Sequence, residues 1–415
     1  MTVSKRNPIA TRVPGGCTPA MPSQPSFRPS EILLLGPGPS PVGAAVREAM
    51  ALPVLGHLDP EFLALMERVQ ADLRQLFGTQ HRFTLPISGT GSAGMEAVMA
   101  NLVEAGDRVV VGINGVFGER LAEMARRQGA DVVAVRSPMG SPVDVDAMLT
   151  AMRVKPTRLC AFVHAETSTG VLTDPLPIAR GARDVGALVA LDCVTSLGGV
   201  ALALDAVGID AAYSGTQKCL AVPPGLAPLT FSERAMAKIA GRAASPSSWY
   251  LDAGLLSSYW RDGKERAYHH TAPISMVYAL ARGLELTLEE GMPARERRHR
   301  RVAAALDAAL GPLGLHNPVA PTDRLPMLTP IALPEEIDAA ALRAHLRARH
   351  RIEVGAGLAA WKDRVIRVGL MGDGARAESV VALVHGLAAA LAEQGRSVDG
   401  EGARRAAEAV LSTRE

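Results

Sequence analysis

Cysteine, net charge and long apolar runs are all scarce in this chain. Only four of its 415 residues are cysteines (Cys17, Cys160, Cys193 and Cys219), and no two stand at C-x-x-C spacing. So few scattered thiols make neither a disulfide frame nor a zinc site, and they suit a reducing, cytoplasmic compartment. Net charge is +2, the balance of 44 basic and 42 acidic side chains interspersed along the chain. That balance excludes nucleic acid as the main partner. No apolar run approaches the roughly 18 residues of a membrane span, so no membrane partner is expected. Acids are missing from the first 30 positions, where Lys5, Arg6, Arg12 and Arg28 stand. The bias is that of a transit peptide, but Pro8, Pro14, Pro19, Pro22, Pro25 and Pro29 forbid the amphipathic helix such a peptide needs. Residues 1–30 are therefore expected to be a disordered extension. The C-terminal Ser412–Glu415 is not a peroxisomal address.

With 48% hydrophobic and 21% charged residues, the chain suits a globular protein of two or three domains with a large core. Asp59-Pro60-Glu61 opens a helix, as an N-cap followed by proline at the first position. Phe62, Met66, Val69, Leu73 and Leu76 repeat at helical spacing until Gly78 stops it. Further on, apolar runs at 107–113, 130–135, 159–163 and 187–191 alternate with helical stretches at 116–128 and 177–185. That is the rhythm of a mainly parallel sheet. From about Pro293 the pattern resets to a basic helix (295–310), strands near 327–333 and 365–370, and an alanine-rich helix near 378–393, an α+β arrangement.

Chemistry concentrates in two stretches. Ala211-Ala212-Tyr213-Ser214-Gly215-Thr216-Gln217-Lys218 runs from apolar to hydroxylated residues and ends on one lysine, with Pro223-Pro224-Gly225 breaking any helix soon after. A lysine held in such a turn can lose its proton and attack a carbonyl, the means by which an aldehyde cofactor is held. Read alone, it is an ordinary surface lysine, as most lysines are. Gly186–Leu191 reads as a buried strand ending in Asp192, which places a carboxylate at the edge where open α/β sheets bind ligands. A pyridoxal phosphate enzyme needs a lysine and an acid that keeps the pyridine nitrogen protonated. Asp192 by itself is also a common helix cap or turn residue.

Gly89, Gly91 and Gly94 satisfy G-x-G-x-x-G, but the next strand ends in Ile113-Asn114, without the acid a dinucleotide site wants there. The glycines instead suit an anion at the start of a helix, where N–H groups are free and the dipole is positive. A plain helix start explains them as well. Phe117, just past a buried strand, reads as core. Arg367 is the one charge inside the apolar stretch Val365–Leu370, and a buried arginine needs a partner, either a structural acid or an incoming carboxylate.

Leu191–Gly199 (LDCVTSLGG) and Ser214–Leu220 (SGTQKCL), with His164–Gly170 (HAETSTG), Arg266–Pro273 (RAYHHTAP) and Val365–Gly372 (VIRVGLMG), resemble the class V aminotransferases. Within them the chain is most similar to the alanine–glyoxylate and serine–pyruvate (serine–glyoxylate) branch, from about Leu33 to about Ala390. The resemblance implies the fold type I architecture of pyridoxal phosphate-dependent transferases: a large α/β domain with a seven-stranded, mainly parallel sheet (31–292) and a smaller C-terminal α+β domain (293–415). It implies pyridoxal 5′-phosphate as cofactor and transamination of a small amino acid, alanine or serine, with glyoxylate or pyruvate. Lys218 and Asp192 would be catalytic. Thr90, Gly91 and Ser92 would hold the cofactor phosphate, Phe117 would stack on its ring, and Thr167 would donate to its phenolate oxygen. Val194 and Gln217 complete its contacts. Gly38, in the segment Leu35–Ser40 (LGPGPS), and Arg367 would meet the substrate. Tyr268 and Thr271 would reach the neighbouring site of a homodimer.

Three other readings share the motifs. A pyridoxamine–pyruvate or ureidoglycine–glyoxylate transaminase differs only in its pocket. A cysteine lyase or desulfurase would want a catalytic cysteine on a mobile loop and usually a histidine over the ring, where Phe117 stands. Cys193 and Cys219 read instead as small buried hydrophobes. A catalytically silent binding protein would not need the complete set.

Overall fold

The protein is described from a computed structural model covering residues 27–260 and 266–413. Most of the expected N-terminal extension, residues 1–26, lies outside the described residues. Contacts divide the chain at Glu31/Ile32, and the unit from Ile32 onward is compact in itself.

A seven-stranded sheet organises that unit. Its strands are β1 (Phe83–Ser88), β2 (Arg108–Ile113), β3 (Asp131–Arg136), β4 (Leu159–Val163), β5 (Leu188–Asp192), β6 (Ala211–Tyr213) and β7 (Leu226–Phe231). The order across the sheet is β1-β7-β6-β5-β4-β2-β3. Every neighbouring pair is parallel except the two made by β7, which runs against both β1 and β6. The carboxyl ends of the other six strands therefore share one edge. Residues 159–163 and 188–192 are buried throughout, as expected of central strands covered on both faces. That is why these strands read as unbroken apolar runs.

Helices cover the faces. In α1 (Pro60–Phe77), the Asp59 carboxylate accepts the Glu61 N–H at 2.8 Å, and Gly78 closes the helix at φ +63°. Phe62, Met66, Val69 and Leu73 are fully buried on its inner face, each contributing about 1.5–3 kcal/mol by leaving water. In α2 (Gly91–Leu102), Gly94 lies against the sheet so closely that a Cβ would stand 3.1 Å from Ala227 and 3.2 Å from Tyr213. Helix α3 (Val116–Arg127) follows β2.

The buried apolar residues of this part form one core, drawn from Val46 to Leu284. A second core gathers Val302 to Ala407 around a three-stranded sheet, β8 (Leu328–Ala332), β9 (Gly355–Ala356) and β10 (Val365–Gly369), with β10 in the middle. Leu35 belongs to this second core, and Leu33–Leu34 pairs in parallel with Ile352–Glu353. A stretch grouped by sequence with the large domain thus packs on the C-terminal part. Pro37–Ser40 then runs from the second core toward the carboxyl edge of the large sheet. No helix among the described residues is long and apolar enough to cross a membrane.

Candidate active site

The loops leaving the shared carboxyl edge enclose a cavity. Gly91, Ser92, Phe117 and Thr167 line it, as do Asp192, Val194, Gln217 and Lys218. These residues come from five different strand ends. They meet because parallel strands put their carboxyl termini side by side.

Lys218 lies in the turn after β6, only 8% exposed. Its ammonium donates to the Pro37 carbonyl. Burial pulls its pKa down to about 8. The N-terminal segment is laced to the same turn: the Ser40 N–H donates to the Gln217 carbonyl at 2.9 Å, and the Ser40 hydroxyl to the Lys218 carbonyl at 2.7 Å. Gly38 has φ +112°, and a Cβ there would stand 2.7 Å from Lys218 Nζ. Glycine is required both by the backbone and by the room the lysine occupies.

Asp192 ends β5, and its register partner on β6 is Tyr213. The buried Tyr213 hydroxyl donates to Asp192 Oδ2 at 2.7 Å, while the Val194 N–H donates to Oδ1 at 2.8 Å. Burial raises the Asp192 carboxyl to about 6, against those two stabilising bonds. A nearby cation would bring it down again, since opposite charge favours the ionised form. Tyr213 was not singled out from sequence. The signal was present in the stretch before Lys218, but its meaning depends on the register of two strands.

Gly91 and Ser92 begin α2, where the first N–H groups have no partner within the helix. The Thr90 side chain does not cap them. Thr90 and Ser92 are both exposed, and of the two only Ser92 lines the cavity. Arg120 lies over the Phe117 ring, 5.1 Å from its centroid, with Nη1 3.5 Å from Ser92 Oγ. Glu166, for which the sequence suggested no role of its own, is fully buried and accepts four bonds: from the N–H of Phe117 (3.1 Å) and Gly118 (3.3 Å), and from Ser168 N–H (3.0 Å) and hydroxyl (2.6 Å). Burial raises its pKa, and the four donors oppose that. It anchors the start of α3, and hence Phe117, against the loop that carries Thr167.

Arg367, in the middle of β10, is 7% exposed. Its Nε donates to the Ala356 carbonyl at 2.7 Å and its Nη1 to the Thr167 carbonyl at 3.0 Å. Among the described residues it has no ion-pair partner. Burial pulls its pKa down, opposed by the charge of Glu166. Tyr268 and Thr271 do not line the cavity. Both are exposed, with their hydroxyls 3.2 Å apart. The thiols of Cys193 and Cys219 are buried and pushed up by burial, that of Cys219 to about 12. The Cys219 thiol donates to the Thr195 carbonyl. Neither is an available nucleophile.

Comparison with known proteins identifies the family. Residues 47–377 match the family described as aminotransferase class-V. An alanine–glyoxylate aminotransferase of Callithrix jacchus is 38% identical over 86% of this chain and 87% of its own length. A crystal structure of an alanine–glyoxylate aminotransferase from a Nostoc species is 43% identical, covers 89% of this chain and 97% of its own, and superposes with a TM-score of 0.87. The ureidoglycine–glyoxylate aminotransferase of Bacillus subtilis is 35% identical, covers 94% and 100%, and superposes with a TM-score of 0.91.

Proposed function

Because this chain belongs to the class-V aminotransferases, we propose that it is a pyridoxal 5′-phosphate enzyme moving the amino group of a small amino acid, alanine or serine, to glyoxylate or pyruvate. The observation that carries this reading is the convergence on one cavity of a buried lysine with a lowered pKa, a buried carboxylate and an uncapped helix start. The donor set fits the cofactor. Gly91 and Ser92 N–H groups and the Thr90 hydroxyl suit its phosphate, Asp192 suits its ring nitrogen, and Phe117 offers an aromatic face. Gln217 Oε1 is buried without a hydrogen-bond partner among the described residues, so it can accept from a bound group. Thr167 supplies a hydroxyl and Val194 an apolar contact. Tyr268 and Thr271, exposed in one chain, complete the phosphate site of the partner in a homodimer. When bound, the cofactor draws electrons from the substrate Cα and stores the amino group between half-reactions.

The chain's own residues do the rest. Lys218 holds the cofactor covalently and, once displaced, takes a proton from the substrate Cα and returns it. A pKa near 8 suits an amine that must alternate between acid and base near neutral pH. Arg367 binds the substrate carboxylate, and the Pro37–Ser40 segment covers the lysine from the other side. The two domains, 31–292 and 293–415, would enclose the substrate between them. The three cysteines among the described residues are free and buried, which suits the cytoplasm.

The test is a half-reaction screen. Purified holoenzyme is mixed with alanine, serine and (S)-ureidoglycine, and the visible absorbance of the cofactor is followed. Alanine or serine should discharge it, and glyoxylate or pyruvate should restore it. Ureidoglycine enters the screen because the Bacillus enzyme superposes over the whole of its own length. A response to ureidoglycine alone would replace the proposed donors, and no response to any amino acid would reject the reading. A desulfurase would need a mobile cysteine, and the three cysteines among the described residues are all buried.

Asp192→Asn gives a second check. The variant should keep its cofactor but lose about 10²–10³ in turnover, the usual effect of removing one preorganised charge from a reacting system. Steady-state rates of the cofactor-loaded variant at the wild-type level would reject the pairing.

A further inference from the structure

We propose that His269 and His270 form a hydrogen-bond relay that fixes the anion-binding turn, Ser88–Ser92, against the segment carrying Tyr268 and Thr271. The proposal rests on the reading of that turn as the cofactor's phosphate site. The two histidines are adjacent in sequence, yet they face inward while Tyr268 and Thr271 on either side are exposed. Three contacts run in line. Ser88 Oγ is 2.8 Å from His270 Nε2, His270 Nδ1 is 2.7 Å from His269 Nδ1, and His269 Nε2 is 3.3 Å from the Trp249 carbonyl.

With both rings neutral, one assignment satisfies all three. A carbonyl can only accept, so His269 carries its proton on Nε2 and its Nδ1 is an acceptor. His270 must then donate from Nδ1, which leaves its Nε2 to accept from the Ser88 hydroxyl. Burial lowers the His270 pKa to about 4, in keeping with a neutral ring. Aromatic neighbours hold the ring planes. Trp249 stacks on His269 at 4.2 Å and 13°, and Tyr250 and Tyr259 pack on His270 at 5.1 and 5.5 Å.

The relay ends where it matters. Ser88 is the last residue of β1, two positions before Thr90, and its backbone pairs with Leu226 while the Gly89 N–H donates to the Gly225 carbonyl. Main-chain bonds thus tether one side of the turn and the histidine pair tethers the other. Through that pair, the turn that takes this chain's own anion is joined to the hydroxyls that would serve the partner's. Neither histidine touches the cavity, so they are positioning residues.

The experiment titrates the full-length apo chain with pyridoxal 5′-phosphate and with pyridoxal, which lacks the phosphate, and compares the two affinities. Wild type should prefer the phosphorylated form. Ser88→Ala and His270→Asn should each lose roughly tenfold of that preference, the scale of one hydrogen bond, with pyridoxal affinity unchanged. His270→Gln should recover part of it, because its amide oxygen can accept from Ser88 although the bond to His269 is lost. A wild-type preference in both Ser88→Ala and His270→Asn would overturn the relay. So would equal losses in the Gln and Asn variants, which would mean packing alone. If wild type itself shows no preference for the phosphate, the cofactor reading falls and the relay with it. Losses in the Ser88 and Asn variants larger than that in the Gln variant support both.

Discussion

Replacing Lys218 by alanine is expected to lower turnover by roughly four decades or more while leaving the chain folded. The loss should be large because one amine has two tasks: it holds the cofactor and it handles the proton at the substrate Cα. The fold should tolerate the change because, among the described residues, the ammonium has no carboxylate partner, its contact being the Pro37 carbonyl. Removing a buried cation without an ion pair strands no opposite charge. The bonds that lace Ser40 to the Gln217 and Lys218 carbonyls do not involve the Lys218 amine. Thermal melting should therefore stay near wild type while single-turnover rates collapse. Borohydride reduction of wild type followed by peptide mapping should place the label on Lys218, and a label on another lysine would remove it from the centre. The lowered pKa adds a pH signature. Only the neutral amine attacks an aldehyde, so cofactor uptake by the apo chain should quicken as pH rises and level off above about 8, not above 10. Mixing this variant with Tyr268→Ala chains tests the shared site. If subunits exchange and each parent is impaired, hybrid dimers should regain one intact site, and no recovery would count against Tyr268 serving its neighbour.

Some of this was legible in the sequence, and the physical reason differs from residue to residue. β4 and β5 could be read because both their faces are covered, which leaves an unbroken apolar run. β7 is as apolar, but nothing in its composition says that it runs against its neighbours. That follows from the path the chain takes after Lys218. Asp192 and Lys218 stood out as single charges at the ends of such runs. Tyr213 did not, because its role comes from being the register partner of Asp192. Glu166 sat inside a recognised motif, but the four donors that converge on it come from positions 117, 118 and 168. The last helix, Gly400–Ser412, was not anticipated, although Asp399 caps it by accepting the Gly402 N–H. Its alanines, Ala403 and Ala407, are buried in the second core. Small residues give a weak apolar stripe even when they pack fully.

Arg367→Lys should keep the cofactor and the fold, yet lower kcat/KM for every α-amino acid by roughly two to four decades, about 3–5 kcal/mol for a truncated charge pair. The structure sharpens the argument. Nε and Nη1 are committed to the carbonyls of Ala356 and Thr167, which fixes the plane of the guanidinium. Nη2 has no hydrogen-bond partner among the described residues, and no carboxylate there pairs with the group. A structural salt bridge, the ordinary reason for an arginine inside an apolar strand, is thus not what the described residues provide. What remains open is the outer edge of the fork, with donors on both terminal nitrogens, and a substrate carboxylate can take it through two parallel bonds. That fixes orientation as well as position, and a transaminase needs both, since the Cα–H bond must be aligned for proton removal. Lysine keeps the charge but loses the plane. Its ammonium is a point donor that cannot hold Ala356 and Thr167 while gripping a carboxylate. Amines without a carboxylate, if they react at all, should be nearly unaffected by the change. Steady-state kinetics with alanine and with a simple amine, on variant protein shown to be folded and cofactor-loaded, make the test. Wild-type handling of alanine by that variant would show that Arg367 serves only to join β10 to the loop of Thr167.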